Sequence, residues 1–343
     1  MRVLVTGHLG YIGAVLVPMA TAAGHSVVGL DSDLYGGCDF GGPPPVVPTV
    51  GRDLRDVTAG DLAGIEGVIH LAALSNDPLG DLDPSLTEAI NTTASLRLAR
   101  LAREAGVRRF VFSSSCSNYG AAGDDLVDED ATLNPLTPYA VSKVRVEEGL
   151  ASLADRDFSP VFMRNATAYG VSPRLRCDIV LNDLVASAHA TGRILVRSDG
   201  TPWRPLVHVA DIAQAALAAL TAPREAVHAH AFNVGRTEEN FRVSEIADIV
   251  REAVPNARVE YAAGAGPDKR SYRVSFEKMR RLVPSFRPAW TVRAGARELA
   301  DAYRSRGFSR ADHDGARYRR VGRIRAGLES GRLDPSLRHR VKA

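Results

Sequence analysis

Cysteine is scarce in this chain: Cys38, Cys116 and Cys177 are three residues in 343, an odd number at wide and unpatterned spacings. That excludes a disulfide framework and a CxxC metal site, and a reducing compartment is the simplest reading. No uninterrupted apolar run approaches the roughly 20 residues of a membrane-spanning helix. Met1-Arg2-Val3-Leu4-Val5 runs straight into an apolar strand-like segment, without a charged leader, an h-region or a small-residue cleavage site. A cytoplasmic protein with no membrane partner and no metal is expected. Charge of one sign is also lacking, since the net value is only +3, too little to call for nucleic acid.

What is present is apolar residue in quantity, 45% of the chain, enough to bury a large core in about two domains. The small net charge is unevenly spread. From Arg304 to Ala343 twelve Lys and Arg stand against four Asp and Glu, a local +8 that leaves −5 for the rest. This basic tail has a helical stretch at Tyr318 to Leu328 and no aromatic interleaving, so it reads as a docked or subunit-contacting extension rather than a nucleic-acid arm.

Short apolar runs alternate with longer amphipathic ones in the first half, the pattern of βαβ units and a parallel sheet. Strands are expected at Arg2 to Thr6, Ser26 to Asp31, Gly67 to Leu71, Arg109 to Ser113 and Ser159 to Arg164. Helices are expected at Tyr11 to Ala23, bent by Pro18, at Thr87 to Ala105 and at Pro138 to Ala154. Residues 36–48, rich in Gly and Pro, read as a surface loop. Beyond about residue 165 the alternation becomes irregular, with helices at Asp178 to Thr191 and Arg242 to Val254 and a strand at Ala231 to Gly235. The fold class is therefore α/β: a Rossmann-type doubly wound parallel sheet with a smaller interleaved α/β substrate domain. The expected boundaries are 1–165 plus about 206–236 for the first domain, 166–205 plus 237–305 for the second, and 306–343 for the extension.

Gly7, Gly10 and Gly13 follow the first strand and open the first helix. Glycine there permits positive φ, lets backbone approach a pyrophosphate, and allows close helix–strand packing, while the helix N-terminus attracts negative charge. Leu9, Tyr11 and Ile12 share that loop. Asp31 ends the second strand, where a carboxylate accepts hydrogen bonds from ribose hydroxyls and repels a 2′-phosphate. No Arg or Lys stands between Asp31 and Gly51, so the expected cofactor is NAD rather than NADP. Asp53 and Leu54 would meet the adenine, and Leu71-Ala72-Ala73 would leave room for pyrophosphate and ribose.

Tyr139-Ala-Val-Ser-Lys143 carries the chemistry, because residues at i and i+4 share a helix face and a lysine beside a phenol lowers its pKa. Such a tyrosine takes a hydroxyl proton while hydride leaves the same carbon. Ser115, 24 residues earlier, ends a central strand and could share the reacting oxygen. Asn91 has two readings, a holder of a water or backbone group beside the site, or an ordinary satisfied helix residue.

These residues resemble the extended short-chain dehydrogenase/reductase family, in particular its nucleotide-sugar epimerases and dehydratases. The resemblance runs through TGHLGYIG at 6–13, Asp31, DLRD at 53–56, VIHLAA at 68–73, FSSSCSNYG at 112–120 and NPLTPYAVSK at 134–143. It continues through LND at 181–183, DGTPWRPLVHVADIA at 199–213 and FNVG at 232–235. It implies that Ser115, Tyr139 and Lys143 are catalytic, that Asn182 and Arg204 contact a nucleotide diphosphate, and that the chain forms a homodimer through the helices at 87–105 and 138–154. Arg204 also suits phosphate on its own account, as a bidentate fork. Arg270, after Gly266-Pro-Asp-Lys, is either a second phosphate clamp or a surface residue, for Ala265 stands where the family places its arginine.

Three departures from the family pattern bear on the reaction. Cys116-Ser117 stands where sugar 4,6-dehydratases carry Asp-Glu, so elimination lacks its acid and base. Ser117, by register from Tyr119, occupies the place of the acid/base cysteine of related epimerase-reductases and joins the catalytic candidates. Thr167 replaces the asparagine that 4-epimerases set near the sugar, and Pro205 replaces an aspartate after Arg204. The expectation is an NAD-dependent isomerase, an epimerase of a nucleoside-diphosphate sugar acting at C4. The alternatives are a dehydratase or net oxidoreductase of a modified nucleotide sugar, and an NAD-binding regulator without catalysis.

Overall fold

In the computed structural model, residues 1–75, 77–264, 266 and 270–340 are described; Pro267, Asp268 and Lys269 of the expected clamp lie outside them. The chain forms strands β1 (Arg2–Thr6), β2 (Ser26–Asp31), β3 (Thr49–Gly51), β4 (Gly67–His70), β5 (Arg109–Ser115), β6 (Ala121–Val127) and β7 (Ser159–Asn165). There follow β8 (Thr167–Tyr169), β9 (Arg193–Val196), β10 (Trp203–His208), β11 (Ala231–Val234), β12 (Asn240–Arg242), β13 (Arg258–Tyr261) and β14 (Ser271–Val274). Seven of them make one sheet in the order β11-β7-β5-β4-β1-β2-β3, every pair parallel.

Parallel strands connected by helices are covered on both faces, and so are apolar at consecutive positions. In β1 the residues Val3, Leu4 and Val5 are all fully buried. Val3 and Val5 join the cluster of Leu16, Val17, Ile212 and Ala216 on one face, and Leu4 joins that of Leu98, Ala102, Val146 and Leu150 on the other. The first cluster is carried by the helices Gly13–Ala22 and Val209–Thr221, the second by Ala94–Glu104 and Pro138–Leu153. The helix Gly13–Ala22 runs through Pro18. The strand order reverses direction between β1 and β4, which opens a crevice at their C-terminal ends.

A smaller unit lies beyond these ends, with sheets β12-β10-β8, β13-β9 and β14-β6 and a separate core that includes Leu181, Val185, Ile246, Val250, Leu299 and Tyr303. β6 comes from the first 165 residues and pairs with β14, far along the chain. It is exposed along most of its length, and Gly123-Asp124-Asp125 interrupts any apolar run that would announce a strand. The loop at 36–48 departs from its expected surface character too. Cys38 and Phe40 are buried, with the Phe40 ring edge-on to Tyr303, Phe308 and Tyr318.

No helix among the described residues is long and apolar enough to cross a membrane, and no group of three His, Cys, Asp or Glu among them is arranged to hold a metal.

Candidate active site

One cavity of about 780 Å³ occupies the crevice, lined at one end by Gly7, Gly10, Asp31 and Asp53 and at the other by Thr167, Arg204 and Arg270, with Ser115, Tyr139 and Lys143 between them. Leu9, Tyr11, Ile12, Gly13, Leu54, Leu71, Ala72, Ala73 and Ser117 complete the expected residues on its wall.

The glycine loop fits a dinucleotide by what it leaves out. Gly7 has φ +71, and a Cβ on it would stand 2.8 Å from the Ala72 backbone nitrogen; one on Gly13 would stand 2.3 Å from the Gly7 carbonyl oxygen. Side chains at either place would fill the cradle or force β1 and the helix apart. The Asp31 carboxylate accepts from the backbone N–H of Leu9 at 3.0 Å and of Asp33 at 2.8 Å, which fixes its orientation at the strand end, and burial raises its pKa. The next cation downstream in the sequence, Arg52, lines the cavity and pairs with Asp61 at 3.2 Å.

Thr137 caps the helix Pro138–Leu153 by accepting from the Ala140 N–H, which sets Tyr139 in its first turn. Burial pushes the Tyr139 phenol up to about 12, with the Asp77 carboxylate adding to the rise and the Ser115 hydroxyl opposing it. The sequence expectation was the reverse, a phenol lowered by Lys143. The physical reason is first the burial of the phenol itself, which the lysine does not offset. Its amine is buried, donates to the Ser113 carbonyl at 2.6 Å and lies 5.6 Å from the centre of the Tyr139 ring. Burial brings its pKa down to about 7, with Glu147 one helical turn away opposing the shift. The lysine therefore gives the phenol less positive charge than an exposed ammonium would.

The turn after β5 sorts its residues sharply. The Ser117 hydroxyl and backbone N–H both donate to the Ser115 Oγ, at 2.9 and 3.1 Å. Cys116 points the other way, its thiol fully buried and 3.1 Å from the Arg164 carbonyl. Cys116→Ala is therefore expected to keep most of the activity, and Ser117→Ala to lower turnover about tenfold, the effect of losing one oriented hydrogen bond. Steady-state rates of the two variants check this, and the opposite order would show that the thiol serves the reaction.

One expected contact lies elsewhere. Asn182 is fully buried and spends its amide inside the fold, accepting from the Gly170 N–H at 3.0 Å and donating to the Arg176 carbonyl at 2.9 Å. It shapes the wall without facing the cavity, because its helical position turns inward while Val180 and Asp183 line the space. Asn91 likewise accepts from the Leu74 N–H at 2.8 Å and donates to its carbonyl at 3.1 Å. It holds the backbone of the segment after β4 from a π-helical turn, Glu88–Thr93, which is the first of its two readings. Arg204 and Arg270 do meet. Arg204 donates to the Trp203 carbonyl at 2.8 Å and to the Arg270 carbonyl, while Arg270 pairs with Asp77.

Asp77, Arg176, Asp178, Arg319, Arg320 and Leu337 also line the cavity, and none was expected there. Asp77 accepts from the Thr137 hydroxyl at 2.6 Å. The local signal was the charges Arg174, Arg176 and Asp178, alternating with Leu175, Cys177 and Ile179.

A model of the family described as "NAD dependent epimerase/dehydratase family" matches residues 3–235. The UDP-glucose 4-epimerase of Mycolicibacterium smegmatis is 30% identical over 295 residues, 78% of this chain and 94% of the relative. Among solved structures, MoeE5 in complex with UDP-glucose and NAD is 27% identical with a TM-score of 0.76. The Thermus thermophilus UDP-glucose 4-epimerase complex with NAD is also 27% identical, with a TM-score of 0.75. The alignments cover 89% of this chain and 99% of each of those two.

Proposed function

Because the chain belongs to the NAD dependent epimerase/dehydratase family, we propose that it epimerises a nucleoside-diphosphate sugar at C4 through a transient ketone. The relatives named above support the substrate class and the carbon. The observation that carries the choice of reaction is the turn Ser115–Cys116–Ser117, which presents two hydroxyls beside Tyr139 and no carboxylate. Asp77, the carboxylate that does approach Tyr139, is held by Thr137 and Arg270. Elimination of water needs a free acid and base at the neighbouring carbons; without them the ketone is left to be reduced.

Bound NAD supplies the acceptor for the carbinol hydride and, once reduced, the donor that returns it. The residues that would hold it are Gly7, Gly10, Gly13 and Asp31, with Asp53, Leu54 and Leu71 to Ala73 along the wall. Tyr139 takes the hydroxyl proton as the carbon–hydrogen bond breaks and gives it back to the oxygen after the sugar has presented its other face. Ser115 shares that oxygen by hydrogen bonding, and Ser117 orients Ser115. Lys143, poised near neutrality, shifts positive charge toward the phenol when protonated. Arg204 and Arg270 bind the diphosphate, and Thr167 borders the sugar. Homodimerisation through the helices at 87–105 and 138–154 belongs to the same reading.

A self-contained cycle makes a sharp prediction. During turnover of a UDP-hexose the nicotinamide absorbance should stay nearly flat, no added cofactor should be consumed, and NMR should show a second stereoisomer of unchanged mass. Stoichiometric NADH release, or a product lighter by one water, would replace the epimerase by the oxidoreductase or dehydratase alternative.

A further inference from the structure

The last described residues lie against the dinucleotide end of the cavity rather than in solvent. A helix at Arg320–Glu329 leads to a turn closed by pairing of Leu333 with His339. Ile324, Leu333 and Leu337 are buried among Leu34, Tyr35, Leu74 and Leu79. Polar contacts fasten both sides. Arg323 donates to the Gly36 carbonyl at 2.6 Å and Arg332 to that of Leu34 at 3.3 Å. Arg55, beside Asp53, donates to the Ser336 carbonyl at 2.9 Å, and Arg319 pairs with Asp183 of the second unit at 2.7 Å. The segment thus crosses from the loops after β2 and β3 to the wall of the other unit, spanning the space in front of Asp31.

Two guanidinium groups on this wall retain unused donors. Arg320, 2% exposed, lies 3.9 Å above the Tyr35 ring and donates one Nη2 bond to the Arg174 carbonyl. Its Nη1 has no hydrogen-bonding partner, and neither has Nη2 of the 6% exposed Arg176. Buried cationic donors are stable when an acceptor meets them, and paired guanidinium forks match phosphate oxygens.

We propose that the C-terminal extension is a strap that closes the NAD site, with Arg320 and Arg176 donating to the diphosphate of the dinucleotide and Leu337 capping its adenosine end, so that the cofactor stays bound between turnovers. This rests on the NAD dependence of the family and not on the choice between epimerisation and the alternatives. A retained cofactor is what a cycle of hydride removal and return within one active site requires.

The full-length protein tests it in two ways. Calorimetry of wild type and Arg320→Met with NAD and, separately, with UDP should show NAD binding weakened about tenfold or more and UDP binding unchanged. Unchanged NAD binding overturns the proposal, and so does a loss confined to UDP, which would give the arginine to the sugar nucleotide. Since Arg320→Met could disturb folding, hydrogen exchange on the wild-type chain gives a second reading. Added NAD should slow exchange in residues 318–338 well beyond any change in the remote helix Glu277–Leu282. Equal slowing in both segments, or none in the strap, overturns the proposal. Failure of NAD to bind the wild type at all would instead remove the cofactor assignment itself.

Discussion

Tyr139→Phe should lower turnover at least about a hundredfold, the range of general acid–base catalysis, while leaving the fold and NAD binding intact. The ring stays and only the hydroxyl leaves, so the helix Pro138–Leu153 keeps its packing and Lys143 keeps its bond to the Ser113 carbonyl. With the phenol pushed up to about 12, the free protein holds Tyr139 protonated at neutral pH. Its loss of a proton must therefore draw on positive charge at the site, and Lys143 at about 7 is the chain's adjustable source. Lys143→Met, which keeps the volume and removes the charge, should depress turnover in the same direction. Near-normal rates in Tyr139→Phe, measured alongside unchanged NAD calorimetry, would remove the proton-transfer role.

Arg164→Ala is expected to destabilise the NAD-free protein by about 3–5 kcal/mol, because it strands a buried carboxylate. Beneath the Ser115 turn, Arg164 pairs with Glu147 at 2.8 Å, their side chains 8% and 7% exposed. The same guanidinium donates to the Tyr119 hydroxyl at 3.2 Å and to the Glu129 carbonyl at 3.1 Å, and Glu147 accepts from Asn118 at 3.0 Å and from Ser114. This network clamps β5, β7 and the helix bearing Tyr139 and Lys143. Removing both charges together, as Arg164→Met with Glu147→Leu, should recover a large part of the loss, since the desolvation of each charge disappears with it. Denaturant unfolding of the three proteins measures the effect, and a loss below about 1 kcal/mol in Arg164→Ala would mean that water reaches Glu147.

Much of this was readable locally. Ser26–Asp31 has the bounds that its apolar run implies, and the glycine loop, Asp31, Ser115, Tyr139 and Lys143 all meet at one cavity, as strand ends and helix starts dictate. Ser117 faces that cavity and Cys116 does not. The asparagines were less legible. Asn91 and Asn182 sit at helical positions compatible with either face of their helices, and only the backbone groups opposite them, at Leu74, Gly170 and Arg176, show where their amides are used.

The doubly wound sheet, the dinucleotide loop and the tyrosine–lysine helix were all legible from the residues in order, because each depends on spacings within a turn, a strand or a helix. The phenol's pKa, the burial of Phe40, the pairing of β6 with β14 and the place where the basic tail docks, over the cavity, came only with the folded chain. Arg176 reaches Ser75 and Arg320 reaches Tyr35 across separations of 101 and 285 residues. Charge and burial there are set by which distant segments the core brings together, a quantity that no local periodicity encodes.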